Sequence, residues 1–413
     1  MNKLIYTSYS PNTRAKDLRL NIGLILSPWR WKNGPCIESV KKWFSGKFPN
    51  ATIFTFNYAR SALYVLFKSL NLKQNEEIIL QGFTCVAAVN PIIWAGARPV
   101  FVDINPDTFC MDIEELRGKI SPKTKAILYQ YTFGFSGEID AVRKIAQEKK
   151  ILLIEDCANT IGGKVNGQLM GSIGDAAVFS LGRDKVVSGV DGGVLVVNNK
   201  ALVPEVEKLN ESLDLPSNKW IFSELCFPVI WWKFKKTYAI GLSKIIHLWA
   251  TKLGLLTRAT TKEEKKGKMP EGIIAKLPNS LACLAVAQLK DLDAINKHRN
   301  EISDYYKQNL VLDQVKTFKV PDGVVLLRYP IYVEDRDDLK VYLKSKGIMV
   351  GDWYDAPVAP VEVSQNAVGY EYGTCVVSEM ACENIMNLPT HINISFDDAK
   401  RIIDEISNFY GKE

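Results

Sequence analysis

Two short stretches hold the residues with the clearest chemistry. In ILLIEDCANT an apolar run ends in Glu155-Asp156. In VFSLGRDKVVSGVDGGVLVV a second apolar run ends at Phe179-Ser180. Lys185 follows, then a Gly192-Gly193 pair and a third apolar run. A lysine amine can form a Schiff base with a carbonyl, and a nearby carboxylate can keep a ring nitrogen protonated. That pairing is what pyridoxal 5′-phosphate (PLP) chemistry requires. Each signal alone is common: a lysine after a strand is ordinarily a surface charge, an aspartate there a cap, and Gly-Gly a hairpin. Their order on neighbouring elements carries the reading.

The elements that position them follow a simple rhythm. From about residue 51, ARSALYVLFKSLNL reads as a helix, EEIILQGF as a strand and VAAVNPIIWAGA as a helix closed by Gly96. PVFVDI and AILYQYTF are strands, and IDAVRKIAQEKK has helical periodicity. ILLIEDCA, DAAVFSL and GGVLVV are further strands. Alternation at this spacing predicts a largely parallel sheet covered on both faces, with ligands at the carboxyl ends of its strands. Asp156, Ser180 and Lys185 fall there. Residues 1–50 read as irregular, with Trp29, Trp31 and Trp43 as anchors.

Bulk properties narrow the class. A net charge of +6 on 413 residues is too mild for a nucleic-acid binder. The three histidines and eight cysteines form no metal-ligand spacing, so no metal site is expected. Several cysteines sit in apolar runs and read as core thiols. No secretory signal and no disulfide pattern are evident, which points to the cytoplasm.

The chain resembles the DegT/DnrJ/EryC1/StrS aminotransferases, sugar-nucleotide enzymes of PLP fold type I. The resemblance runs from about residue 51 to the C-terminus. NYARSALY, ILQGFTCVAAVNPIIWAGARPVFVDINPDTF, LIEDCANTIGG, GDAAVFSLGRDKVVSGVDGG, LAVAQLKDLDAINKHR and NLPTH carry it. It implies an α/β fold with a mostly parallel central sheet sandwiched by helices, plus a smaller C-terminal α/β domain. It implies that Lys185 forms the Schiff base, Asp156 pairs with the pyridinium nitrogen and Ser180 binds phosphate. Asn159 stands where the family has Gln near the ring hydroxyl. Ala59 and Arg60 stand at a phosphate-binding helix start, where Arg60 adds charge. Cys85 replaces an aromatic ring that stacks on the cofactor. Ile274 and Lys276 replace an Asn-x-Arg pair that reaches a neighbouring subunit's phosphate, and Val190-Asp191 replace Gly-Glu.

The resemblance also implies an amino-acid donor such as glutamate, a keto-sugar-nucleotide acceptor and a homodimer. Two other readings share the fold: a different PLP chemistry, such as dehydration or desulfuration, and a non-catalytic regulator or scaffold. The domain reading is an N-terminal segment 1–50, a PLP-binding domain 51–214 with 271–312, an insertion 215–270 and a small domain 313–413. Within the insertion, residues 219–258 mix tryptophans with lysines. That block suits either a helical excursion packed on the protein or a peripheral contact with an anionic membrane.

Overall fold

The computed structural model describes residues 3–237, 249 and 257–411. In its first half the strands are β1 (Ile5–Tyr6), β2 (Thr52–Phe56), β3 (Glu77–Gln81), β4 (Thr84–Cys85), β5 (Arg98–Val102), β6 (Thr124–Gln130), β7 (Leu152–Asp156), β8 (Lys164–Val165), β9 (Gln168–Leu169), β10 (Ala176–Ser180) and β11 (Gly193–Val197). The helices there are α1 (Ala15–Ile25), α2 (Cys36–Lys47), α3 (Ala59–Ser69), α4 (Val86–Trp94), α5 (Ile113–Lys119), α6 (Ile139–Lys149), α7 (Val203–Glu211) and α8 (Asn218–Thr237).

Seven strands form one sheet in the order β2-β11-β10-β7-β6-β3-β5. Every pairing is parallel except the two made by β11. That strand runs backwards because the loop of residues 181–192, and no crossover helix, joins it to β10. The strands are apolar on both faces. Ile78, Leu80, Leu128, Ile154 and Val178 enter one core, and Ile79, Ile127, Leu153 and Ala177 the other. The near-continuous apolar runs follow from that two-sided burial. Register then decides the chemistry: Asp156 pairs with Val178 and Gln130, and both Ser180 and Phe56 pair with Gly193. The carboxyl ends of β2, β6, β7 and β10 therefore meet at one level.

Glu155, beside Asp156, points the other way and is fully buried. Its carboxylate accepts hydrogen bonds from the backbone N–H groups of Gly171, Ile173 and Gly174 (each 2.7 Å) and from the Tyr131 hydroxyl (2.6 Å). It ties the loop before β10 to β7. Glu155→Ala should strand these donors and lower unfolding free energy by at least about 3 kcal/mol. Chemical denaturation checks this; an unchanged midpoint would show that the loop finds other acceptors.

After residue 310 the chain forms a second group of elements. Antiparallel strands Arg328–Tyr332 and Ile385–Pro389 and helices Arg336–Ser345 and Phe396–Tyr410 pack together. β1 joins this group by pairing in parallel with Ile348–Met349.

Three expectations need correction. Residues 1–50 are not irregular: they hold α1 and α2. α1 has no Ser, Thr or Asn at its start, and the Arg14 N–H is accepted by the Asp17 carboxylate at 2.9 Å, so the usual start signal is missing. Trp31 anchors this segment, buried with its Nε1 donating to Leu24 O, but Trp29 is 77% exposed and anchors nothing. Finally, Cys36 and Cys283 form a disulfide between α2 and helix Asn279–Leu289, so one ground for expecting the cytoplasm does not hold.

The first half of the aromatic and basic block is α8, and it packs inward. Trp231 stacks on Tyr9 (4.0 Å between centroids), and Trp220 Nε1 donates to the Tyr58 hydroxyl (3.0 Å). Residues 238–248 and 250–256 of the block lie outside the described residues. No described helix is long and apolar enough to cross a membrane.

Candidate active site

The strand ends enclose a cavity of about 310 Å³. All seven residues singled out from the sequence line it: Ala59, Arg60, Cys85, Asp156, Asn159, Ser180 and Lys185. Lys185 sits in the turn after β10, where its N–H bonds back to Gly182 O at 3.2 Å. Its Nζ donates to Asn159 Oδ1 (3.0 Å) and lies 4.7 Å from the Trp353 ring centroid. Burial lowers the Lys185 pKa, because a desolvated ammonium is disfavoured. A greater share of uncharged amine is what a nucleophilic lysine needs.

Asp156 Oδ1 accepts the Ala158 N–H at 2.9 Å, and no cation pairs with this carboxylate among the described residues. Burial raises its pKa, opposed by the Ala158 N–H and by the charge of Lys185. A buried carboxylate in that state gains from a cationic partner. Asn159 also reaches Tyr354, its Nδ2 donating to the hydroxyl at 3.4 Å.

The anion cradle is built at the start of α3. Tyr58 precedes it in extended conformation and its carbonyl accepts the Ser61 and Ala62 N–H groups, while Ala59 and Arg60, at the helix start, line the cavity. Gly193 backs directly onto this corner; a Cβ there would lie 2.6 Å from Ala59 N. Ser180 Oγ faces the same region and accepts the Gly182 N–H at 3.2 Å. Arg60 is not a helix-surface arginine. It is buried, stacks on the Tyr58 ring at 4.0 Å, and pairs through Nε with Glu264 (3.1 Å). Its Nη1 donates to Ala259 O at 2.7 Å.

The donor set fits PLP. A buried amine stands ready for the aldehyde and an unpaired buried carboxylate for the ring nitrogen. A helix start with Ser180 and Arg60 suits the phosphate.

The departures from the family pattern have visible consequences. Cys85 is half-buried, and burial raises its thiol pKa. Aromatic surface reaches the cavity from Tyr58, Trp353 and Tyr354 instead. Val190 keeps a φ of +75° where the family has Gly, an unusual backbone for a buried β-branched residue. Lys276 points away from the cavity and donates to Glu211 O at 2.9 Å.

Sequence reading missed several lining residues: Gln130, Arg183, Trp353, Tyr354 and Asp355. Gln130 could have been found, since it ends β6 at the level of Asp156. Trp353 and Tyr354 come from the second group of elements and carry no local signal.

The chain is similar to proteins of one family. The model of the DegT/DnrJ/EryC1/StrS aminotransferase family matches residues 15–216 and 248–407. GDP-perosamine synthase of Vibrio cholerae is 24% identical over 413 residues, covering 97% of this chain and 98% of that protein. A pleiotropic regulatory protein of Geobacillus stearothermophilus is 26% identical over 357 residues, 84% and 82% of the two chains. Among solved structures, Helicobacter pylori PseC, an aminotransferase involved in the biosynthesis of pseudoaminic acid, superposes with a TM-score of 0.76. It shares 18% identity, with both chains fully covered.

Proposed function

The chain belongs to the DegT/DnrJ/EryC1/StrS aminotransferase family and is a PLP-dependent transaminase, and from that premise we propose that it aminates a keto sugar carried on a nucleotide. The amino donor in this reading is an amino acid, glutamate first. One observation carries the chemistry: the amine of Lys185 and the carboxylate of Asp156 line the same cavity as the start of α3. The acceptor class rests on relatives whose names specify amino-sugar formation.

PLP, when bound, supplies an aldehyde for the amine and a ring that takes up the electrons released at Cα. The chain's own residues do the rest. The Lys185 amine would take the proton from the donor Cα and hold it for return during the transfer; a placed general base contributes about 10²–10⁴ in rate. Asn159 steers the Lys185 amine by accepting its hydrogen bond. Asp156 holds a proton on the ring nitrogen by its charge. Ser180, Arg60 and the N–H groups of α3 hold the phosphate. Trp353 and Tyr354 narrow the cavity and exclude water. A homodimer is part of this reading, and sedimentation checks it.

The test is a panel of 3-keto and 4-keto nucleotide sugars with glutamate and the PLP-loaded protein. The proposal expects 2-oxoglutarate and an aminated sugar from at least one of them. Glutamate consumption with simple oxo acids but no sugar would overturn the acceptor assignment and leave the transaminase intact.

A further inference from the structure

The family model passes over residues 217–247, the stretch that holds α8. Yet α8 reaches the wall of the cavity. Glu224, in its second turn, is fully buried. Its Oε2 accepts a hydrogen bond from Arg183 Nη2 at 3.1 Å. The same Nη2 donates to Asp191 Oδ2 at 2.7 Å and to Thr257 Oγ1 at 2.9 Å, and Nη1 donates to Thr257 O at 3.0 Å. Phe227, one turn along α8, lies under the guanidinium at 3.9 Å. Arg183 and Asp191 bracket the turn and hairpin that contain Lys185, and both line the cavity. One cation thus joins four pieces of chain: the Lys185 turn, the hairpin before β11, α8 and the segment at Thr257.

We propose that Glu224 is a positioning residue: by gripping Arg183 together with Asp191, it fixes the turn that presents Lys185 to the cofactor. This rests on the PLP reading above. Glu224 touches no lining atom of the reaction itself and acts through Arg183. The arrangement places two carboxylates on one guanidinium inside the protein. The groups facing Glu224 are Arg183, Asp191 and Tyr58, with the Thr257 hydroxyl; Arg60 and its partner Glu264 lie beyond Tyr58. Burial, then the charge of Asp191, pushes the Glu224 carboxyl up to about 8. At neutral pH it therefore keeps its proton, and Arg183 balances Asp191 alone. The sign follows. A folded pKa above the unfolded value favours the protonated folded state, so the support is full below about 4.5 and lost as pH rises through about 8. Above that, two like charges compete for one arginine and the turn loosens.

The experiment is a PLP titration of wild type, Glu224→Gln and Glu224→Leu from pH 6.5 to 9.5, read by cofactor absorbance, with circular dichroism on each variant. Gln mimics the protonated acid, so this variant should keep neutral-pH affinity and lose the alkaline decline. Leu removes the hydrogen bond and should weaken PLP binding by about tenfold at neutral pH, without the alkaline decline of wild type. If Gln follows the wild-type profile, or if folded Leu binds PLP as wild type does, the proposal fails. Absence of PLP binding by wild type would instead overturn the cofactor assignment, so the two failures are distinguishable.

Discussion

Lys185→Ala is expected to abolish transamination, with kcat falling by at least about 10³-fold. Two functions disappear together: the covalent attachment of the cofactor and the group that moves the Cα proton. No described neighbour can replace it, because Lys185 is the only lysine among the described residues lining the cavity. The Trp353 ring and Asn159 that hold its amine have no other amine to present. Lys185→Arg should fail equally, since a guanidinium keeps the charge but neither bonds to the aldehyde nor gives up a proton at neutral pH. Steady-state kinetics with glutamate, together with cofactor retention through gel filtration, checks both. Full turnover by either variant would remove Lys185 from the mechanism.

Asp156→Asn carries the second large effect. The amide keeps the shape of the side chain and can still accept the Ala158 N–H, so the fold and PLP binding should survive. What goes is the charge that would face the ring nitrogen. Without it the nitrogen loses its proton more readily and the ring accepts electrons less well. Both half-reactions should slow by about 10²–10³-fold, the usual scale for one preorganised electrostatic partner. Stopped-flow measurement of the glutamate half-reaction reads this directly. Rates equal to wild type would mean that another group supports the ring.

Most of the order of strands and helices between residues 51 and 197 was legible because it is local, but β2 at one edge of the sheet and α5 went unread. Near-continuous apolar runs such as ILLI fit strands buried on both faces, which placed Asp156 and Ser180 at carboxyl ends and Lys185 just beyond one. The site was legible to the same depth and no further. Arg183 reads as one more charge in GRDK until α8 brings Glu224 to it across the fold. Trp353 and Tyr354 enter from a group of elements far along the chain. The disulfide joins cysteines 247 residues apart, a pairing that spacing cannot specify. The aromatic block had two physical readings, because tryptophan and lysine suit a lipid interface and a packed wall alike. For α8 the contacts Trp231–Tyr9 and Trp220–Tyr58 turn it toward the protein. Residues 1–50 concealed α1 because its N-cap is Arg14, with the cap made by a carboxylate further along.

The claim on which the rest depends is the bond between Lys185 and PLP. Borohydride reduction of the PLP-loaded protein, followed by proteolysis and mass spectrometry, tests it without any substrate. A pyridoxyl label confined to the peptide containing Lys185 is the predicted result. A label on another lysine, or none on a protein that has demonstrably taken up PLP, would contradict it.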